Sequence, residues 1–190
     1  MSTGAIIAII VGAVVLLIIA FIWGSYNKLV RLDERVNEAW SDITVQLKRR
    51  SDLIPNLVES VKGYAKHETE AIKQVSDARA KMMGARSVKA TAEADQSFMG
   101  ALSRIMAVSE SYPELKADKN FQQLSQELSD TEDKIQAARR YYNAGAKELN
   151  TKIKVFPVNL FHGFGFKKRE YYEVAEAEKE KIQDAPEVKF

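Results

Sequence analysis

Two histidines, His67 and His162, are the residues of this chain best suited to metal binding or general acid–base chemistry. His67 and Glu68 begin like an HExxH zinc helix, but position 71 is an alanine, so the second histidine ligand is missing. A di-iron helical bundle places a glutamate three residues before each ligand histidine, and here those positions hold a tyrosine and an asparagine. The sequence therefore predicts no metal ligands and no catalytic residues.

Nucleotide and thiol chemistry have no better support in the sequence. Gly163 and Gly165 lie in the run HGFGFKK, which lacks the longer glycine loop and the Gly-Lys-Ser/Thr of a phosphate loop, so a tight turn explains them better. The chain has no cysteine, which excludes disulfides and thiol catalysis. A net charge of +2 gives no reason to expect nucleic acid as a partner. We therefore predict a non-enzymatic protein without a cofactor.

Two charged residues occupy positions where apolar side chains are expected. Arg50 interrupts a row of residues spaced by seven, and Glu68 interrupts the adjacent row. A charge on a buried stripe is costly unless it is paired, so each is expected to have a partner. That partner lies either within the domain, as a structural ion pair, or across a subunit interface, which makes Arg50 and Glu68 candidate polar interface residues.

The apolar rows that these charges interrupt predict long helices. Seven-residue spacing sustained from Leu29 indicates one long helix, or two in phase, with a single core-facing stripe. Pro55 is expected to kink it, and Gly84 is expected to begin the first loop. The rows are Leu29, Val36, Ile43, Arg50, Leu57, Tyr64 and Ala71, and Trp40, Leu47, Ile54, Val61, Glu68 and Val75.

Two further helical segments complete the predicted fold. One covers about residues 91–111, and a last long helix carries an apolar row from Phe121 to Leu149. The run SYPELKADKN between them contains Pro113 and Asn120, which are breaker and helix-start signals. No stretch alternates with period two. We predict an all-α fold in which an N-terminal transmembrane helix precedes an antiparallel helical bundle with long helices.

The first part of the chain has the composition of a membrane anchor. Residues 5–23 carry no polar side chain, and 19 residues in a helix span about 28 Å, close to the thickness of a bilayer core. A signal peptide would show a basic start and a small-residue cleavage site. Trp23 and Tyr26 stand where an interfacial aromatic belt is expected. We divide the chain into an anchor at 1–24, a bundle domain with an aromatic C-terminal segment at 25–172 and a charged tail at 173–190.

Charge and small residues suggest how the anchor is placed. Lys28, Arg31 and Arg35 follow the apolar run and no basic residue precedes it, which predicts an external N-terminus and a cytoplasmic C-terminal domain. Small residues also form a stripe with a spacing of four, interrupted at Leu16. Helix association and chance occurrence explain this stripe equally well, and its members are candidate anchor-packing residues. They are Gly4, Ala8, Gly12, Ala20 and Gly24.

Beyond Lys154 the chain becomes unusually aromatic. Residues 156–166 hold four phenylalanines and are followed by Lys167 and Lys168. This segment is expected to leave the last helix at Pro157 and fold back. It either caps the open end of the bundle, which the sequence favours, or inserts in the bilayer interface, as aromatic-plus-basic surfaces do.

Several long strings of the sequence are specific to one family. They are YNKLV at 26–30, AWSDITVQLKRRSDLIPNLVESVKGYAKHE at 39–68, ARRYYN at 138–143 and TKIKVFPVNLFHGFGFKK at 151–168. In these strings the chain resembles the LemA family of bacterial membrane proteins, apart from Leu149-Asn150, where the family usually repeats a Tyr-Asn pair. The resemblance implies a membrane-anchored helical bundle, relatives associated with the shaping of internal bacterial membranes, and no established catalytic residues.

These observations lead us to expect a single-pass protein of the bacterial cell membrane whose coiled-coil-like bundle self-associates as a membrane scaffold. The alternative is a membrane-tethered adaptor or signalling module that presents a bundle face to another protein's helix. The expected partners are the lipid bilayer, further copies of the chain, and either anionic head groups or an unidentified protein.

Overall fold

The computed structural model describes residues 2–160 and 165–173, and within them the chain is helical without any strand. The all-α fold predicted from the apolar spacing is confirmed. The described elements are α1 (Thr3–Tyr64), α2 (Thr69–Gly84), α3 (Val88–Ser111), α4 (Pro113–Ala117), α5 (Lys119–Lys154) and a 3-10 turn at Val158–Leu160.

Helix α1 joins the apolar N-terminal segment to the core of the bundle without a break over 62 residues. Its residues 5–23 are apolar on all sides of the helix and almost entirely exposed, as expected for a helix surrounded by lipid. From Leu29 onward one stripe becomes buried, and up to Val61 it contains the predicted row residues except Trp40, which is half-buried. It adds Leu32 and Ala39, whereas the predicted Tyr64 is 42% exposed. The buried apolar members of that stripe are Leu29, Leu32, Val36, Ala39, Ile43, Leu47, Ile54, Leu57 and Val61.

Pro55 lies inside α1 without interrupting it. A proline has no N–H to donate, so the carbonyl of Ser51, four residues earlier, loses its helical partner. Ser51 is buried, and its carbonyl oxygen accepts a hydrogen bond from Nε of Arg79 in α2 at 2.8 Å. The group that the proline frees therefore becomes a contact between α1 and α2.

The predicted position of the first loop was wrong. Helix α1 ends at Tyr64 and α2 begins at Thr69, so the first connection is residues 65–68, and Gly84 is the last residue of α2, directly before the second connection. Spacing did not mark the reversal because the apolar period continues in phase across it. The run SYPELKADKN also contains helix α4, with Pro113 at its first position, where a missing N–H costs nothing. Asp118, and not Asn120, caps α5 by accepting from the N–H of Phe121 at 2.9 Å.

The long helices run alternately up and down. Helix α5 lies antiparallel to α1, with Trp40 packed on Tyr142 at 5.7 Å between ring centroids and Tyr64 donating to Asp118 at 3.2 Å. Their backbones approach closely at Gly145, where an added Cβ would lie 3.2 Å from a methyl group of Val36. Helices α2 and α3 pack on each other as the second hairpin.

Helices α1 and α5 extend further toward the apolar segment than α2 and α3 do. Asp95 of α3 contacts Arg50, and α3 begins only seven residues earlier, at Val88. It therefore reaches only about 10 Å from that contact toward the apolar segment. Between the start of α3 and the apolar segment, a different element covers the α1–α5 pair. Residues 165–173, which we call the C-terminal strap, lie along both helices and place Tyr172 in the core.

Candidate functional site

Four charged side chains meet inside the bundle and form what we call the charged centre: Arg50 of α1, Asp95 of α3, and Glu132 and Arg139 of α5. The Arg50 guanidinium is 1% exposed and donates to Asp95 and, at 2.5 Å, to Glu132. Asp95 is fully buried and also accepts from Arg139. One carboxylate therefore connects three helices.

The charges of this centre balance, because two guanidiniums face two carboxylates. Burial lowers the pKa of Arg50 below its ordinary value, and Glu132 opposes that shift. Burial also lowers the pKa of Arg139. Both side chains remain cations, because arginine does not deprotonate in proteins. The Arg50 guanidinium stacks over the ring of Phe98 at 4.8 Å, which adds a cation–π contact to its ion pairs.

Tyr172 brings the C-terminal strap into the charged centre. Its hydroxyl donates to Asp95 at 2.8 Å, and the guanidinium of Arg139 lies 4.8 Å from the centroid of its ring. The ring also packs near Trp40, at 6.3 Å. Burial raises the pKa of the Tyr172 phenol, and the cations Arg139 and Arg50 act in the opposite direction. The phenol therefore stays protonated and serves as a donor to a carboxylate that already holds two cations.

Two asparagines of α5 hold the backbone of the strap. Asn150 accepts from the N–H of Arg169 at 2.8 Å and donates to its carbonyl at 2.9 Å, and Asn143 makes the same pair of bonds with Tyr172 at 2.8 and 2.9 Å. The two asparagines are seven residues apart on a helix, about 10.5 Å, which matches three residues of extended chain. The strap is thus bound in a defined register.

Side chains add to this register at the membrane-proximal end of the strap. Arg169 donates to Asp33 at 2.7 Å and to Asn37 at 2.9 Å, which ties the strap to α1. The ring of Phe166 lies 5.8 Å from that of Tyr26. The strap therefore runs from the level of Tyr26 toward the charged centre and is held along its whole length.

The structure places the two predicted polar residues far apart. Arg50 makes its ion pairs within the chain, and Glu68 accepts a hydrogen bond from Tyr112 of the same chain at 3.3 Å. Fourteen helical residues, about 21 Å, separate Arg50 from the end of α1 that precedes Glu68. A role of either residue across a subunit interface stays a prediction.

The small-residue stripe of the anchor packs against none of the residues that the structure describes. A side chain added at Gly4, Gly12 or Gly24 would meet no atom within 4 Å, and Ala8 and Ala20 are exposed. Its role in helix association therefore stays a prediction.

His67, the histidine that the structure describes, is not part of the charged centre. His67 is exposed in the first connection, and His162 and Gly163 lie outside the described residues. Within 2–160 and 165–173 no group of three or more histidine, cysteine, aspartate or glutamate side chains is arranged to hold a metal ion.

Sequence reasoning missed Asp95, Glu132, Arg139 and Tyr172. A signal for Asp95 was present, because it lies on the buried stripe of α3 between Thr91 and Phe98, as Arg50 does on α1. Two opposite charges on two core stripes are candidates for one buried pair. The other members lie beside their helix's apolar row or beyond it, so spacing alone does not single them out.

The LemA family model matches residues 39–190, which is most of the chain and includes Arg50, Asp95 and Glu132. This chain belongs to the LemA family.

Among LemA relatives, Magnetosome protein MamQ 2 of Paramagnetospirillum magneticum is similar at 30% identity over 175 residues, covering 78% of this chain and 64% of the relative. Protein LemA of Metamycoplasma hominis is 33% identical over 141 residues, covering 72% and 63%. Magnetosome protein MamQ of Magnetospirillum gryphiswaldense is 28% identical over 174 residues, covering 77% and 64%. The chain thus spans less than two thirds of the length of these relatives. With its apolar helix, this family membership makes the chain a membrane-associated protein.

Proposed function

We propose that this LemA-family protein is a non-enzymatic, single-pass membrane scaffold, with its N-terminus outside the cell membrane and its bundle in the cytoplasm. The observation that carries the proposal is the continuity of α1, in which one 62-residue helix is first a membrane-sized apolar rod and then the central helix of a bundle. A helix without a hinge couples the orientation of the anchor to that of the domain.

The apolar segment of α1, residues 5–23, supports association between copies. It has no partner helix among the described residues, and no part of its most apolar window is buried by the chain itself. Lipid tails or other membrane helices are what can cover such a surface, and the small residues at Gly4, Gly12 and Gly24 would let a second helix approach closely. Lys28, Arg31 and Arg35 on one side supply the charge asymmetry that supports the proposed orientation.

The charged centre supports a mechanical role better than a catalytic one. Its two carboxylates and two guanidiniums pair with one another, with Nε of Arg139 as the one buried side-chain nitrogen or oxygen of the centre that has no hydrogen-bond partner among the described residues. Each addition to the centre links another element, so that α1, α3, α5 and the strap are joined at Asp95. Some relatives are named magnetosome proteins, and the LemA resemblance implies relatives associated with the shaping of internal bacterial membranes, a role that we extend to this chain only as part of the proposal.

The test is the mass of the full chain in mild detergent, measured by light scattering after gel filtration. We expect a discrete oligomer, and we expect Gly12→Leu to reduce its mass by obstructing the small-residue face. Val11→Leu is the control, because it places the same residue type at an exposed position off that stripe. A monomeric full chain would contradict the scaffold and leave the adaptor, which should instead recover one partner in stoichiometric amount.

A further inference from the structure

We propose that the turn after α5, residues 155–160, is a second membrane contact. It rests in the interfacial layer of the same bilayer that holds the apolar segment of α1, residues 5–23. The contact consists of Val155, Phe156 and Leu160, which we call the apolar ledge, with lysines on either side of it. This proposal does not depend on self-association, because a single copy is sufficient to form it.

The height of the ledge follows from the pairing of α1 with α5. Arg35 pairs with Glu148 at 3.7 Å, and Trp40 packs on Tyr142, so each turn further along α5 lies one turn closer to the anchor. If the same antiparallel pairing continues to the end of α5, Lys154 lies at about the level of Lys28, the first charged residue after the apolar segment. The ledge therefore begins where the anchor leaves the hydrocarbon.

The strap gives an independent measure of the same height. Phe166 contacts Tyr26, one helical turn after Trp23, the last residue of the apolar run. Trp23 and Tyr26 have the residue types of an interfacial belt. Lys154, directly before the ledge, and Phe166 of the strap thus both lie within about one helical turn of that belt, on the order of 5 Å.

The exposure of the ledge shows which side of the turn the described residues leave uncovered. Phe156 is 72% exposed and Leu160 is 64% exposed, while Val158, between them, packs against the core. The predicted cap fits Val158 and Phe166, which pack against the core, whereas Phe156 and Leu160 are left exposed. Phe161 and Phe164 of the same segment lie outside the described residues. One side of the turn packs against the bundle through Val158, and the other side exposes Phe156 and Leu160.

The charges around the ledge suit an anionic lipid surface. Lys154, Lys167 and Lys168 are exposed, and Lys152 is half-buried beside the same turn. Apolar side chains that enter the head-group layer while lysines meet phosphates are the usual composition of an interfacial protein surface. Because the ledge adjoins a helix already in the bilayer, contact requires no separate encounter with the membrane.

The absence of cysteine makes the experiment direct, because any introduced cysteine is unique. The full chain carrying Phe156→Cys or Leu160→Cys is labelled with an environment-sensitive fluorophore and reconstituted into vesicles of phosphatidylcholine and phosphatidylglycerol. The matched control is Val45→Cys, which is 58% exposed on α1 and about 33 Å from Trp23. Circular dichroism of each labelled protein checks that the helices are retained.

We expect blue-shifted emission at positions 156 and 160, with quenching by nitroxide-bearing lipids several-fold stronger than at position 45. Access of aqueous iodide should show the reverse order. Quenching by iodide at 156 and 160 equal to that at 45 would overturn the proposal. So would a blue shift that lipid nitroxides do not quench and that disappears on dilution of protein in lipid, since this would show a second copy on the ledge.

Substitution of both Lys167 and Lys168 by glutamine tests the electrostatic part in the same vesicles. We expect weaker lipid quenching at position 156, because the basic residues no longer attract the anionic surface. Unchanged quenching would remove the lysines from the contact.

Discussion

The substitution Asp95→Asn tests whether the charged centre holds the bundle together. Asparagine keeps the size of the side chain but removes the negative charge that Arg50, Arg139 and Tyr172 share. Glu132 would then be the only carboxylate facing two guanidiniums. The variant thus creates an uncompensated positive charge at a site where Arg50 is 1% exposed.

The expected loss follows from the burial of the pair. Removing one partner of a buried ion pair costs about 3–5 kcal/mol, because the other charge is left without a partner. Arg139 keeps a side-chain exposure of 21% and can be partly hydrated, so we expect a loss of about 3 kcal/mol, at the low end of that range. A domain of this size is stable by about 5–15 kcal/mol, so this loss is a large share of the total.

Urea unfolding in mild detergent measures this loss through Trp40, which packs beside Tyr142 and Tyr172. Trp23→Phe leaves Trp40 as the only tryptophan of the chain. Asp52→Asn is the matched control, because Asp52 is an exposed carboxylate paired with Lys48 at 3.0 Å, and such pairs contribute about 0–1 kcal/mol.

Equal unfolding midpoints for the Asp95→Asn variant and the Asp52→Asn control would refute this account of the charged centre. The double variant Arg50→Met with Asp95→Leu provides a second criterion. We expect it to lose less stability than the sum of the two single substitutions, because it leaves neither member of the pair as a lone buried charge. Additive losses would show that the two residues act independently.

Three other contacts yield predictions. Arg79→Met should lower the free energy of unfolding by about 1–3 kcal/mol, since the buried carbonyl of Ser51 loses its donor; an unchanged urea midpoint would contradict this. Asn150→Leu should increase hydrogen exchange at the amide of Arg169 while leaving amides of α2 and α3 protected, as a mass-spectrometric comparison with the parent chain would show. Burial raises the pKa of Tyr172 above its ordinary value of 10.0, so its contribution to stability is present below that pH and is lost as pH rises through the higher folded value. Tyr172→Phe should therefore flatten part of the alkaline decline in melting temperature, and identical pH profiles would contradict the assignment.

Most of the helical organisation was predictable because it depends on local spacing. The buried stripe from Leu29 to Val61 follows the predicted rows, since a helix repeats its face every seven residues whatever it packs against. The reversal after Tyr64 was not predictable in this way, because α2 continues the same phase after turning back. Pro55 suggested a kink, but its main consequence is the contact of Ser51 with Arg79, which requires knowing that α2 lies alongside.

The sequence by itself determined the apolar segment, the helical class and the presence of a charge at Arg50 on a core stripe, because these properties are local to one helix. Only the tertiary structure decided what that charge meets. Asp95 and Glu132 are 45 and 82 residues away from Arg50, and Tyr172 reaches the same point on a segment with no helical period. Local patterns specify which face of a helix is buried, whereas partners across a bundle depend on the order and offset of the helices, which no single repeat encodes.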